Sequence, residues 1–100
     1  MGSQAVQFDE AAYHIDIARS RARLDDASGV LVAVRAALAA VAGTPYAGLL
    51  AEANAAAVDA VGSARAGDPV RADAALALFA HLVADMERFE SAEAARLTAR

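Results

Sequence analysis

The stretch Gly43-Thr44-Pro45-Tyr46-Ala47-Gly48 stands near the middle of the chain and divides it into two arms of nearly equal length. Apolar residues recur at helical spacing on both sides of it. Gly43 has no Cβ and can take the left-handed conformation that closes a helix. Pro45 lacks a backbone donor and steers Thr44 out of the helical region. Thr44 is then placed to cap a second helix, with Pro45 at its first position. The stretch therefore predicts a tight turn over residues 43–47 between two helical arms that run in opposite directions.

Upstream of the turn, a heptad pattern holds for more than four repeats. One register is Ile17, Leu24, Leu31 and Leu38; the other is Tyr13, Ser20, Ala27, Val34 and Val41. Together they form an a/d seam of coiled-coil type. The pattern predicts one helix over about residues 9–42, entered through Asp9, with residues 1–7 frayed. Asp25-Asp26-Ala27-Ser28-Gly29 is rich in turn-prone residues, and glycine costs about 1 kcal/mol against alanine inside a helix. The seam keeps its register across this stretch, which argues for one continuous helix, straight or bent, with a true break as the less favoured alternative.

Downstream, Leu49, Leu50, Ala53, Ala57, Ala60, Val61 and Ala64 make an apolar face that is mostly alanine, over a helix of about residues 47–65. Ala66-Gly67-Asp68-Pro69 then interrupts the pattern over residues 66–69. Gly67 can end one helix, Asp68 can cap the next and Pro69 suits its first position. A further helix over about residues 69–98 carries Leu76, Phe79, Leu82, Val83, Met86 and Phe89 on its apolar face. The second arm is one kinked helix or two, so the chain has up to three helical segments. No strand-like alternation persists, and the fold class is all-α.

Composition narrows the function. One hundred residues make a single domain. Apolar residues are 58% of the chain, but about thirty residues are alanine, which favours helix and adds little core volume. A seam this thin points to a partner that supplies more core, although a compact three-helix monomer also satisfies the pattern. Every basic residue is arginine, and with the alanine excess this points to a GC-rich genome. The net charge of −4, with no basic cluster larger than Arg19, Arg21 and Arg23, argues against nucleic-acid binding. Without cysteine there is no disulfide and no thiolate metal site. The first residues lack the pattern of a cleaved signal peptide. No apolar run reaches the ~18 residues that stable membrane insertion needs.

Candidate chemistry is sparse. Glu10 with His14, and His81 with Asp85, stand four apart on helices and could each offer two metal ligands. With two histidines in the chain and no third ligand evident, they read as surface hydrogen-bonded pairs. Asp25 and Asp26 are adjacent and read as a solvated turn or helix face. Nothing forms a catalytic triad or a phosphate-binding loop. The sequence therefore predicts no enzyme activity, no cofactor and no metal site. The aromatic residues carry more information. Tyr46 lies in the central turn two residues before Gly48, and Phe89 lies four residues before Glu93 near the C-terminus.

By this layout the chain resembles the WXG100 family, the small helical-hairpin substrates of type VII (ESX) secretion systems. Tyr46-Ala47-Gly48 stands where the family has Trp-x-Gly, and Phe89-Glu90-Ser91-Ala92-Glu93 stands where it has Tyr-x-x-x-Asp/Glu. The stretch from Phe89 to Leu97 is also similar to the tail of actinobacterial secretion-associated relatives that lack the tryptophan. The resemblance spans nearly the whole chain; Tyr replaces Trp in one motif, and Phe replaces Tyr in the other. It implies an antiparallel helical hairpin that pairs into a four-helix-bundle-like dimer, with the turn motif of one subunit near the C-terminal motif of the other. The partner would be a second copy or a related hairpin protein. The interface core would be Ile17, Leu24, Leu31, Val34, Leu38, Phe79, Val83 and Met86. The motifs Tyr46 with Gly48 and Phe89 with Glu93 would be read by a secretion ATPase. The protein would be cytoplasmic before export and secreted or envelope-associated after it. The alternative is a cytoplasmic helical adaptor or regulatory module with no secretion role, in which Tyr46 and Phe89 serve packing alone.

Overall fold

The computed structural model describes residues 3–98, and the side chains from residue 6 onward. Four helices follow one another: α1 (Ser3–Arg23), α2 (Ala27–Val41), α3 (Ala47–Arg65) and α4 (Pro69–Thr98). No strand occurs among the described residues. The helices form an up-down-up-down bundle, in which α1 packs on α2 and α4, and α3 packs on α4 and α2. The bundle measures 52 × 21 × 18 Å. One chain thus provides the four helices that the hairpin reading drew from two.

The first arm is two helices, not the single helix expected over 9–42. Asp25 adopts the left-handed conformation at φ 58°. The Asp26 amide donates to the Arg21 carbonyl at 2.9 Å and the Asp25 amide to the Ala22 carbonyl at 3.1 Å. This pair of bonds is a Schellman motif, which satisfies the last carbonyls of α1. Asp26 then caps α2, its carboxylate accepting from the Gly29 amide at 2.9 Å. A Cβ on Gly29 would collide with that same carboxylate, so the glycine belongs to the cap.

The connection between α3 and α4 repeats this design. Gly67 takes the left-handed position at φ 75°. The Asp68 amide reaches the Ser63 carbonyl at 2.9 Å, and the Gly67 amide reaches the Ala64 carbonyl at 3.1 Å. Asp68 accepts from the Arg71 amide at 3.1 Å. The chain is therefore two helical hairpins in tandem, each closed by three residues that end in a capping aspartate. The start of α1 also differs from expectation: Ser3 is already helical, and Phe8 lies in the core at 1% exposure.

Splitting the first arm moves its buried face. The side chains of α1 that enter the core are Phe8, Ala11, Ile15, Ala18 and Ala22, at alternating spacings of three and four. Of the expected seam, Ile17, Leu31 and Leu38 are half-buried, while Tyr13 and Leu24 are 62% and 70% exposed. Val34, Phe79, Val83 and Met86 are buried, but inside a single chain. The buried positions of α3 are Ala53, Ala56, Ala57, Ala60, Ser63 and Ala64. Opposite this face, α4 inserts Leu76, Phe79, Leu82, Val83 and Met86.

One ion pair ties the two hairpins together. Arg19 Nε and Nη2 donate to the two carboxylate oxygens of Asp73 at 2.8 and 3.1 Å, and Arg23 approaches the same carboxylate at 3.9 Å. The hydrogen bonds from Arg19 hold the Asp73 carboxyl below its ordinary pKa of 3.8, against a smaller opposing effect of burial. The same bonds hold the Arg19 guanidinium more firmly in its charged form.

Three substitutions test this account. Phe79→Ala empties the centre of the core and is expected to cost about 3–5 kcal/mol in urea unfolding. Ala57→Leu forces a large side chain into the α3 seat and is expected to cost about 1–3 kcal/mol. Asp73→Asn is expected to cost about 1 kcal/mol at neutral pH and less at high salt, because the pair is partly solvated. The folded-state pKa of Asp73 lies below the unfolded one. The contribution is thus complete above 3.8 and is lost as pH falls through the lower folded value. Unfolding curves of the Asp73→Asn and parent proteins should converge in acid.

Candidate functional site

The five residues Ala42–Tyr46 between α2 and α3 carry the first element of the candidate site. The α2 helix ends on Ala42 in the right-handed region, and Gly43 does not enter the left-handed one. Thr44 folds back and does not cap α3. Its Oγ1 donates to the Val41 carbonyl at 2.9 Å and its amide to the same oxygen at 3.1 Å, and the residue is buried. The residue at the α3 cap position is Tyr46, which makes no side-chain capping bond. Its ring is free to turn outward along α4.

The second element is the distal part of α4. This helix has 30 residues against 19 in α3, so its last turns run past the end of the bundle, and residues 91–98 are all exposed. Where α4 passes the turn, the Tyr46 and Phe89 rings meet with centroids 6.0 Å apart at a tilt of 41°, within the range of favourable aromatic pairs. Tyr46 Oη donates to Glu90 Oε1 at 3.0 Å. Burial, and then the bond to Glu90, push the Tyr46 phenol above its ordinary pKa of 10.0.

Beside this contact lies an open groove of about 490 Å³, lined by Tyr46, Gly48, Leu49, Phe89, Ala92, Glu93 and Arg96. Gly48 is a bare point on its wall. A Cβ there would meet nothing within 4 Å, so no backbone approaches closely at this glycine. Glu93 is bound by Arg96 at 2.6 Å on the rim. Phe89 keeps 56% of its surface exposed. The groove offers an apolar floor with a charged edge, suited to receiving apolar side chains of another protein.

All four motif residues named from the sequence, Tyr46, Gly48, Phe89 and Glu93, line this one groove. They do so within one chain, where the hairpin-dimer reading expected the turn motif of one subunit to face the C-terminal motif of another. Leu49, which the sequence places on an apolar helix face, and Glu90, Ala92 and Arg96, which it does not mark as site residues, also belong to this region. Glu90 is 44 residues from Tyr46 in sequence, and no local pattern joins the two. The metal-ligand pairs are not assembled further. His14 makes an edge contact with the Tyr13 ring at 5.4 Å, Asp85 is engaged by Arg88, and His81 is exposed. Among the described residues, no three His, Cys, Asp or Glu side chains converge as a metal site, and no helix is long and apolar enough to cross a membrane.

The chain matches no known protein-family model, no curated protein and no solved structure at a significant level.

The Tyr46 environment is open to direct measurement. In a Tyr13→Phe background Tyr46 is the remaining tyrosine, and its absorbance titration is expected to have a midpoint above 10.0. Glu90→Gln should move that midpoint down without fully restoring the ordinary value, because burial is the larger cause. The raised value favours the neutral phenol, so any stability it contributes is present below pH 10 and lost at higher pH.

Proposed function

We propose that this protein is a type VII secretion-associated helical protein, acting as a substrate, co-substrate or targeting partner, and that its groove of Tyr46, Gly48, Phe89 and Glu93 is the surface a secretion ATPase reads. The observation that carries this reading is the convergence of two sequence motifs, 41 positions apart at their nearest residues Gly48 and Phe89 (89 − 48), on one groove. Packing alone does not ask for it. Phe89 is more than half exposed and Gly48 touches nothing across the groove, so the core would be complete without either. Residues that leave the core unaffected yet build a common surface are suited to recognition. In this reading the protein is made in the cytoplasm and then exported to the envelope or the medium. Pairing with a second copy or with a related helical hairpin protein is part of the proposal.

A second reading, a cytoplasmic helical adaptor without a secretion role, is favoured by one feature: a single chain supplies all four helices around one core, where the paired-hairpin reading drew them from two. Export separates the two. Tyr46→Ala, Phe89→Ala, Glu93→Ala and Gly48→Leu are expected to lower the exported fraction by about tenfold, the effect of ~1.4 kcal/mol at a recognition surface. Cellular level and melting temperature of each variant control for folding. Unchanged export in all four sinks the assignment of the groove. No export of the parent protein from a host with an active type VII system favours the adaptor.

A further inference from the structure

The two connections at one end of the bundle share a motif but not a residue type. Gly67 occupies the left-handed position between α3 and α4, whereas Asp25, an L residue with a side chain, occupies it between α1 and α2. A Cβ in that conformation crowds the following carbonyl, so the first connection holds strain that the second lacks. The second connection also cannot straighten into a helix, because Pro69 has no amide to donate and disfavours helix at Asp68. No such bar exists at Leu24-Asp25-Asp26. Across it the heptad registers run without a slip, through Ile17, Leu24, Leu31 and Leu38 and through Ala27, Val34 and Val41. Leu24, on that seam, is 70% exposed in the bundle, and Val70 at the same end is 79% exposed.

We propose that Leu24–Asp26 is a hinge through which α1 is exchanged between two copies of this chain. When it straightens, residues 3–41 become one helix, and α1 is carried beyond the end of its own bundle, out of reach of its own α4. The seat it leaves, against α2 and α4, is the one α1 fills in the closed chain, so the occupant that restores the same contacts is α1 of a second copy. Phe8 and Ile15 recover their burial there, and Arg19 recovers its pair with Asp73 across chains. The exchange relieves the left-handed Asp25 and joins Leu24 to a seam at the point where the two straightened helices pass. Core contacts are conserved, so little is lost apart from the freedom of two separate molecules. The inference does not rest on the secretion reading.

The ion pair between the hairpins supplies the test. An Arg19→Asp chain sets two carboxylates against each other in the closed monomer, and an Asp73→Arg chain sets guanidinium against guanidinium. Unfolded together in urea and refolded as a mixture, the two chains have opposite charges at this position only by exchanging α1. Native mass spectrometry is expected to find a 1:1 heterodimer, about tenfold enriched over the dimer of either chain alone, as ~1.4 kcal/mol of regained pairing gives. The chain carrying both substitutions restores the pair internally and should remain as monomeric as the parent. Asp25→Gly placed in both partners removes the strain of the closed connection and should reduce the heterodimer. A mixture that stays monomeric overturns the proposal. A heterodimer whose yield ignores Asp25→Gly overturns the hinge at residues 24–26.

Discussion

Every buried position on α3 is alanine or serine, and the rest of the core is built around this smallness. A helix whose inner face is alanine lets its neighbours come near the lower end of the ~8–10 Å interaxial range. The large side chains then have to come from elsewhere. They are supplied by α4 through Leu76, Phe79, Leu82, Val83 and Met86, by α1 through Phe8 and Ile15, and by α2 through Val30, Val34 and Val41. A bundle of this kind interlocks large against small instead of layering leucines. It packs about ten large side chains into a 100-residue chain and still leaves no buried side-chain polar atom without a partner among the described residues.

How much of this could be read from the sequence depended on which residue did each job. The connection before α4 was plain, because Gly67 and Pro69 obey strong local rules at adjacent positions, and the two helices of the second arm begin and end near where those rules place them. The matching connection in the first arm was hidden. There the left-handed residue is Asp25, a type that enters that region far less readily than glycine. The leucines of the seam outweighed it, although Asp26 repeats the cap that Asp68 makes. The same leucines misdirected the choice of core. The seam places Ile17 and Leu24 in the core, where the bundle buries Ala11, Ala18 and Ala22. Alanine carries little weight in a periodicity reading and full weight in a close-packed interface.

At the candidate site the local signals located the residues but not their arrangement. Tyr46 and Gly48 were visible as part of a turn, and Phe89 and Glu93 as a spaced pair on a helix. Their meeting within one chain follows from two facts that no short window contains: the first arm doubles back, and α4 is 11 residues longer than α3 (30 − 19). The extra length carries Phe89 and Glu90 to the level of the turn and leaves the last turns of α4 free of the bundle. Thr44 shows the same limit on a smaller scale. A residue well placed to cap the next helix closes the previous one, because the Val41 carbonyl is within its reach once the turn is made.

The three-residue closures of the tandem hairpins bear on how fast the protein reaches this state. Helices α1 and α2 face each other across the shortest of connections, as do α3 and α4, so most core contacts join residues near in sequence. Little chain entropy is lost in closing such loops, and a topology dominated by nearby contacts belongs to the microsecond-to-millisecond class of folding rates. The contacts that join the two hairpins lie on the α1–α4 and α2–α3 sides, where Arg19 meets Asp73.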